Sequence, residues 1–136
     1  MKKLILFFVA LLGLLIFVSC SSDDAPATNA QIQINPPSWI QGTWRLDNSS
    51  SNGHAFRFTS NDVTVIQPAI QQSLRGQLQA YLDAGQTVST TEESSESTYK
   101  LISNFPGGQS TVYSFTKVSA NEIVWDVAPS LSYTKQ

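Results

Sequence analysis

The chain reads as one mainly β domain, an antiparallel meander closing into a small barrel or half-barrel with one α-helix inserted at about residues 68–84. Three observations predict this. Short segments of alternating apolar and polar residues recur from residue 39 to residue 135, the period-2 signature of half-buried strands. Recognisable tight turns separate them, so successive strands pair as neighbours and must pack on themselves or close. Only one stretch changes from a period of 2 to a helical period.

Trp39–Leu46 (WIQGTWRL) forms the first predicted strand. In Gly53–Ser60, Phe56 and Phe58 share one face against Arg57 and Thr59. Asn61-Asp62 then signals a turn, and Val63–Gln67 returns as a hairpin arm. After Pro68, residues Ile70, Leu74, Leu78, Tyr81 and Leu82 fall on one helical stripe, opposite Gln71, Gln72, Arg75, Gln79 and Asp83. Pro68 suits a first helical position and Gly85 a C-terminal cap. Gly76 costs about 1 kcal/mol against alanine in mid-helix, which close approach to a strand would explain. The polar run Thr87–Ser97 is either an exposed hairpin arm or a mobile loop. Four clearer strands follow at 98–104, 110–118, 122–127 and 130–135, separated by Pro106-Gly107-Gly108, Ala120-Asn121 and Ala128-Pro129. The expected total is about seven strands.

Ahead of this domain stands a targeting segment. Lys2 and Lys3 precede an unbroken apolar run, Leu4–Val18, whose 15 residues suit a signal h-region. That is short of the ~20 residues a spanning helix needs. Phe17-Val18-Ser19-Cys20 resembles the bacterial lipobox, with Phe17 in place of the usual leucine. The resemblance implies cleavage before Cys20, diacylglycerol on its thiol and a third acyl chain on its new amine. Three chains at ~0.8 kcal/mol per buried methylene anchor a protein stably. Residues 1–19 are therefore read as a lipoprotein signal peptide and residues 20–37 as a lipidated flexible tether. Residues 38–136 are the folded domain. Ser21 and Ser22 resemble the context of lipoproteins sorted to the outer membrane, and Asp23-Asp24 resembles an export signal to the cell surface. The other reading of the aspartates is an acidic solvated linker.

Charge narrows the partners. The whole chain carries eight Lys+Arg and ten Asp+Glu; losing residues 1–19 removes two of the former and none of the latter, leaving a net charge of −4. A mildly acidic chain lacks the basic patch that drives nucleic-acid binding or a second, electrostatic membrane contact. Cys20 is the sole cysteine, so once lipidated it leaves no disulfide, and a hydrophobic core must carry the fold.

Pro37-Ser38-Trp39-Ile40-Gln41-Gly42-Thr43-Trp44 opening such a meander resembles the lipocalin-like superfamily. There a Gly-x-Trp motif starts the first strand and its tryptophan closes one end of the barrel. The resemblance implies a basic residue from the last strand stacked on Trp44, and Lys135 has the required position. Two features depart from that family: the domain is shorter, and the helix interrupts the barrel instead of following it. Small barrels fill with side chains, so the likeness bears on fold more than on ligand carriage.

Chemistry-bearing residues are sparse. His54, the sole histidine, lies in an Asn-Gly-His turn without zinc partners and reads as a solvated loop residue. Glu92, Glu93 and Glu96 lack a calcium-loop pattern and read as a solvated acidic loop. No Gly-x-Ser-x-Gly elbow or carboxylate pair points to catalysis, and no metal or cofactor is expected. The expectation is a non-catalytic envelope module held to the membrane through Cys20. It binds a small hydrophobic ligand inside the barrel, with Trp44, Lys135, Phe56, Phe58, Tyr113, Phe115 and Trp125 as the ligand-binding or barrel-end candidates. The alternative is a protein-interaction or inhibitor module working through loops and the helix face, its barrel filled.

Overall fold

The alternating segments become nine strands in one antiparallel sheet, seen in a computed structural model that describes residues 30–47 and 53–136. The expected signal peptide, Cys20 and the aspartate pair lie outside the described residues. The strands are β1 (Gly42–Leu46), β2 (Ala55–Phe58), β3 (Val63–Gln67), β4 (Ile70–Ser73), β5 (Ser89–Ser94), β6 (Thr98–Asn104), β7 (Ser110–Lys117), β8 (Glu122–Trp125) and β9 (Ser132–Lys135). Helix α1 (Leu74–Asp83) connects β4 to β5, and a short 3-10 turn, Pro106–Gly108, joins β6 to β7.

Every neighbour pairs antiparallel, in the order β4-β3-β2-β1-β9-β8-β7-β6-β5. The domain's two ends meet at the centre of the sheet, where Trp44 faces Lys135 and Leu46 faces Tyr133. Phe58 of β2 and Tyr99 of β6 stand five places apart in that order, yet their rings meet at 6.1 Å. The sheet therefore curls on itself. The result is a lipocalin-like half-barrel with one helix, whose Leu74 and Leu78 join the core.

Side chains fill the interior. Alternate residues of each strand point inward, and Trp44, Phe56, Phe58, Tyr99, Phe115 and Tyr133 are all essentially inaccessible to solvent. Phe56 touches Phe115, Tyr133 and Trp125 at ring separations of 4.9, 5.2 and 5.4 Å, within the range where edge and tilted pairs are favourable.

The helix is shorter than its periodicity implies. Ile70–Ser73 pair with β3 as an edge strand instead, Pro68 sits in the β3–β4 turn, and Ile70 stands 60 % exposed. The start is fixed by polar contacts. The Ser73 hydroxyl caps the helix by accepting from the Gly76 N–H at 2.8 Å. Asp62 accepts from the Arg75 N–H at 3.0 Å and from the Ser73 hydroxyl at 2.6 Å. A carboxylate there also opposes the helix dipole. Gly76 thus belongs to the first turn: a Cβ on it would lie 3.0 Å from the Oγ of Ser73, the last residue of β4 and the helix cap. The C-terminus follows expectation. Gly85 has φ +75°, and bonds from Gly85 to Leu82 and from Gln86 to Tyr81 form a Schellman motif.

A second difference concerns the expected tether. Residues 30–37 lie against the domain, with Ile32, Ile34 and Pro36 buried in alternation. Side chains hold this strap in place. Gln79 of α1 accepts from the Ile32 N–H and donates to the Ala30 carbonyl, while Thr90 of β5 donates to the Gln33 carbonyl. The Asn35 N–H bonds both oxygens of Glu92 at 2.9 Å. The strap therefore bridges α1 and the β5 edge, where the half-barrel has no strand pairing of its own. The polar run at 87–97 resolves as the exposed arm β5.

Candidate functional site

The two ends of the half-barrel differ in kind. One is sealed around Trp44. Its indole N–H donates to the Ile40 carbonyl at 2.6 Å, its ring is fully buried, and Lys135 Nζ stands 5.1 Å from the ring centroid. Gly42 explains the glycine of the Gly-x-Trp motif. It has φ +129°, and a Cβ there would meet Lys135 Cε at 2.8 Å. Any larger residue would push the lysine off the indole. Trp39 extends this closure, bonding the Ser95 carbonyl at 2.9 Å with Lys117 Nζ 5.7 Å from its ring. These residues form a lid of fixed side chains.

The other end is open. A groove of about 560 Å³ runs between α1 and the β6–β7 connection, within the ~300–1,000 Å³ span of small-molecule sites. Tyr81, Phe105 and Tyr113 supply its rings, with Leu74 and Pro106 beside them. Gln72, Gln77, Gln109, Ser110 and Thr111 supply its polar groups. None of these ten residues carries a charge. Tyr81 packs edge-on against Phe105 at 5.8 Å, which ties the helix wall to the turn wall. Tyr113 lies parallel to Trp125 at 6.2 Å, and Trp125 lies parallel to His54 at 6.4 Å, so the groove's floor continues into a stack of three rings.

His54 is accordingly no solvated loop residue. It is half-buried, edge-on to Phe56 at 5.2 Å, and its Nδ1 shares a hydrogen bond of 3.2 Å with the Tyr133 hydroxyl. Desolvation lowers its pKa from the ordinary 6.5, so the neutral ring dominates near pH 7. Desolvation also raises the Tyr113 and Tyr133 hydroxyls, which stay protonated and able to donate.

Glu92 also departs from expectation. It faces inward from β5, opposite Leu101, and accepts from the Tyr99 hydroxyl at 2.6 Å as well as from Asn35. Burial, followed by the hydrogen bond to Glu92 and its charge, pushes the Tyr99 hydroxyl far above its ordinary value. Glu93 is on the surface, 3.5 Å from Lys100.

The seven residues singled out in the sequence thus divide. Trp44 and Lys135 seal the closed end; Phe56, Phe58 and Phe115 fill the middle; Tyr113 and Trp125 reach the open end. Only Tyr113 lines the groove. Sequence reasoning missed the groove's glutamines, because Gln72 on β4, Gln77 on α1 and Gln109 in the β6–β7 connection each look solvated until the opposite wall is in place. Tyr81 appeared there only as a member of the helical stripe.

A second cleft of about 430 Å³ lies over the start of α1, by Asp62, Ser73 and Arg75. Both Asp62 oxygens are already engaged in capping the helix. Among the described residues no group of histidine, cysteine and acidic side chains is placed to hold a metal, and no helix is long and apolar enough to cross a membrane. Comparison with family models, curated proteins and solved structures finds no match.

Proposed function

We propose that the protein is a non-catalytic recognition module of the cell envelope, anchored through acyl chains on Cys20 and binding by its helix-and-loop face. The observation that carries this reading is the contrast between the barrel's interior and its mouth. Six large aromatic side chains occupy the interior with essentially no exposed surface, while a 560 Å³ groove opens between α1 and the β6–β7 turn. Of the two functions considered from sequence, a filled barrel favours contact at the surface over a hydrophobic ligand held inside.

The anchor sets the geometry. With residue 30 docked on the domain, the nine residues from Ser21 to Asn29 reach at most ~30 Å. The groove then works close to the membrane on which the protein sits; the resemblance to a lipobox and the serines after it support the outer membrane, and Asp23-Asp24 support its outer face.

Two measurements test this. Cys20→Ala is expected to release the protein from the membrane fraction; retention after a carbonate wash would contradict the anchor. Titration of the full-length lipoprotein with a fatty-acid probe is expected to leave tryptophan emission flat. A saturable response would return the ligand to the interior.

A further inference from the structure

We infer that the groove at the mouth of the half-barrel binds an uncharged, hydroxyl-rich ligand, a short neutral saccharide. This rests on the surface-recognition reading above and names its ligand class. The argument is one of chemical matching. A charged ligand calls for an opposite charge or a cluster of oriented donors, and the groove's lining holds no Lys, Arg, Asp, Glu or His. A purely apolar ligand would strip water from Gln77, Gln109, Ser110 and Thr111 without replacing their hydrogen bonds, at a cost of about 1–3 kcal/mol for each group left buried and unpaired. A saccharide meets both constraints.

Its hydroxyls each donate and accept, as do carboxamide and hydroxyl side chains. A pyranose also presents a face of C–H groups that packs on an aromatic ring. Tyr81 and Tyr113 offer such rings from opposite walls, one on the helix and one on β7. Tyr81 is 40 % exposed, and its contact with Phe105 limits its freedom before any ligand arrives.

Gln72 Nε2 already donates to Gln77 Oε1 at 2.7 Å; the remaining polar groups are free for this work. Among the described residues, the side chains of Gln109, Ser110 and Thr111 and the Tyr113 hydroxyl make no hydrogen bond within the protein. Burial holds the Tyr113 hydroxyl protonated, a neutral donor. Behind them Ser103 is fully buried with its hydroxyl unpartnered. It pairs in register with Thr111, so both side chains lie on the same face of the sheet. An orphan hydroxyl is costly in a dry core and useful beside a site that receives hydroxyls or the waters bridging to them.

Trp125 provides a built-in reporter, because its ring stacks on Tyr113. The test uses the full-length lipoprotein in detergent, titrated with neutral linear oligosaccharides of glucose, mannose and N-acetylglucosamine. Trp125 emission and saturation-transfer NMR are the readouts. At least one series is expected to saturate, and Tyr81→Ala and Gln109→Ala are each expected to weaken it about tenfold or more, the scale of a lost ~1.4 kcal/mol contact. Both residues are exposed, and unchanged unfolding midpoints verify that the variants fold. Binding that ignores both substitutions overturns the site. If no saccharide saturates by about 10 mM, while a neutral Gln/Ser/Thr-rich peptide binds and is lost in Tyr81→Ala, the ligand class falls and the groove reading stands. If only a fatty-acid probe responds, equally in wild type and Tyr81→Ala, both readings fall.

Discussion

Ile34→Ala tests whether the strap before the first strand belongs to the core. Ile34 is 1 % exposed and packs in the same cluster as Trp44, Leu78 and Tyr99. The substitution removes three carbons, worth ~0.8 kcal/mol each by burial alone. The cavity term raises the total to about 2–5 kcal/mol. For a domain of about 100 residues, each kcal/mol moves the midpoint by about 4–8 °C, so a fall of at least ~10 °C is expected. Thermal unfolding of the detergent-solubilised full-length chain, followed by near-UV circular dichroism, reads it directly. Gln33→Ala is the internal control: its side chain faces solvent, and a change within ~0.5 kcal/mol is expected. If Ile34→Ala behaves like Gln33→Ala, the strap is not docked and the domain begins near residue 38 after all.

Trp44→Ala should cost about 3–5 kcal/mol as a large core truncation; a loss below ~1 in urea unfolding would mean that the tryptophan does not seal the barrel. Glu92→Ala leaves the Tyr99 hydroxyl and Asn35 N–H without their acceptor and should cost about 1–3 kcal/mol. The same substitution should speed amide exchange at Asn35. Because burial depresses the His54 pKa below 6.5, the unfolded chain takes up that proton first as pH falls. His54 thus contributes a loss of stability on acidification through and below about pH 6.5, and His54→Gln should flatten that part of the profile; an unchanged slope would refute its burial.

Much of this architecture is legible in the residues, for a physical reason. Alternation is a local property, so β6 falls at 98–104 as read, and β7 to β9 come within two residues of their expected limits. Gly85 caps α1 because only a short-range bond pattern is involved. What the sequence conceals is non-local. Ile70–Ser73 looked helical because apolar spacing alone cannot tell a short edge strand from a first helical turn, and the decision rests with Asp62, eleven residues before Ser73. The strap Gln31-Ile32-Gln33-Ile34 does alternate, but its polar surroundings made it resemble linker, and its partners Gln79 and Glu92 lie about 50 residues away. Glu92 and His54 acquired roles from Tyr99 and Tyr133, residues that only the sheet register brings near. The groove needs two walls, and neither announces the other.

Native mass spectrometry of the protein extracted from its membrane addresses the account most directly. The expected species begins at Cys20, carries three acyl chains and holds no hydrophobic small molecule. An intact Met1, or a lipid-like ligand retained one-to-one, would contradict it.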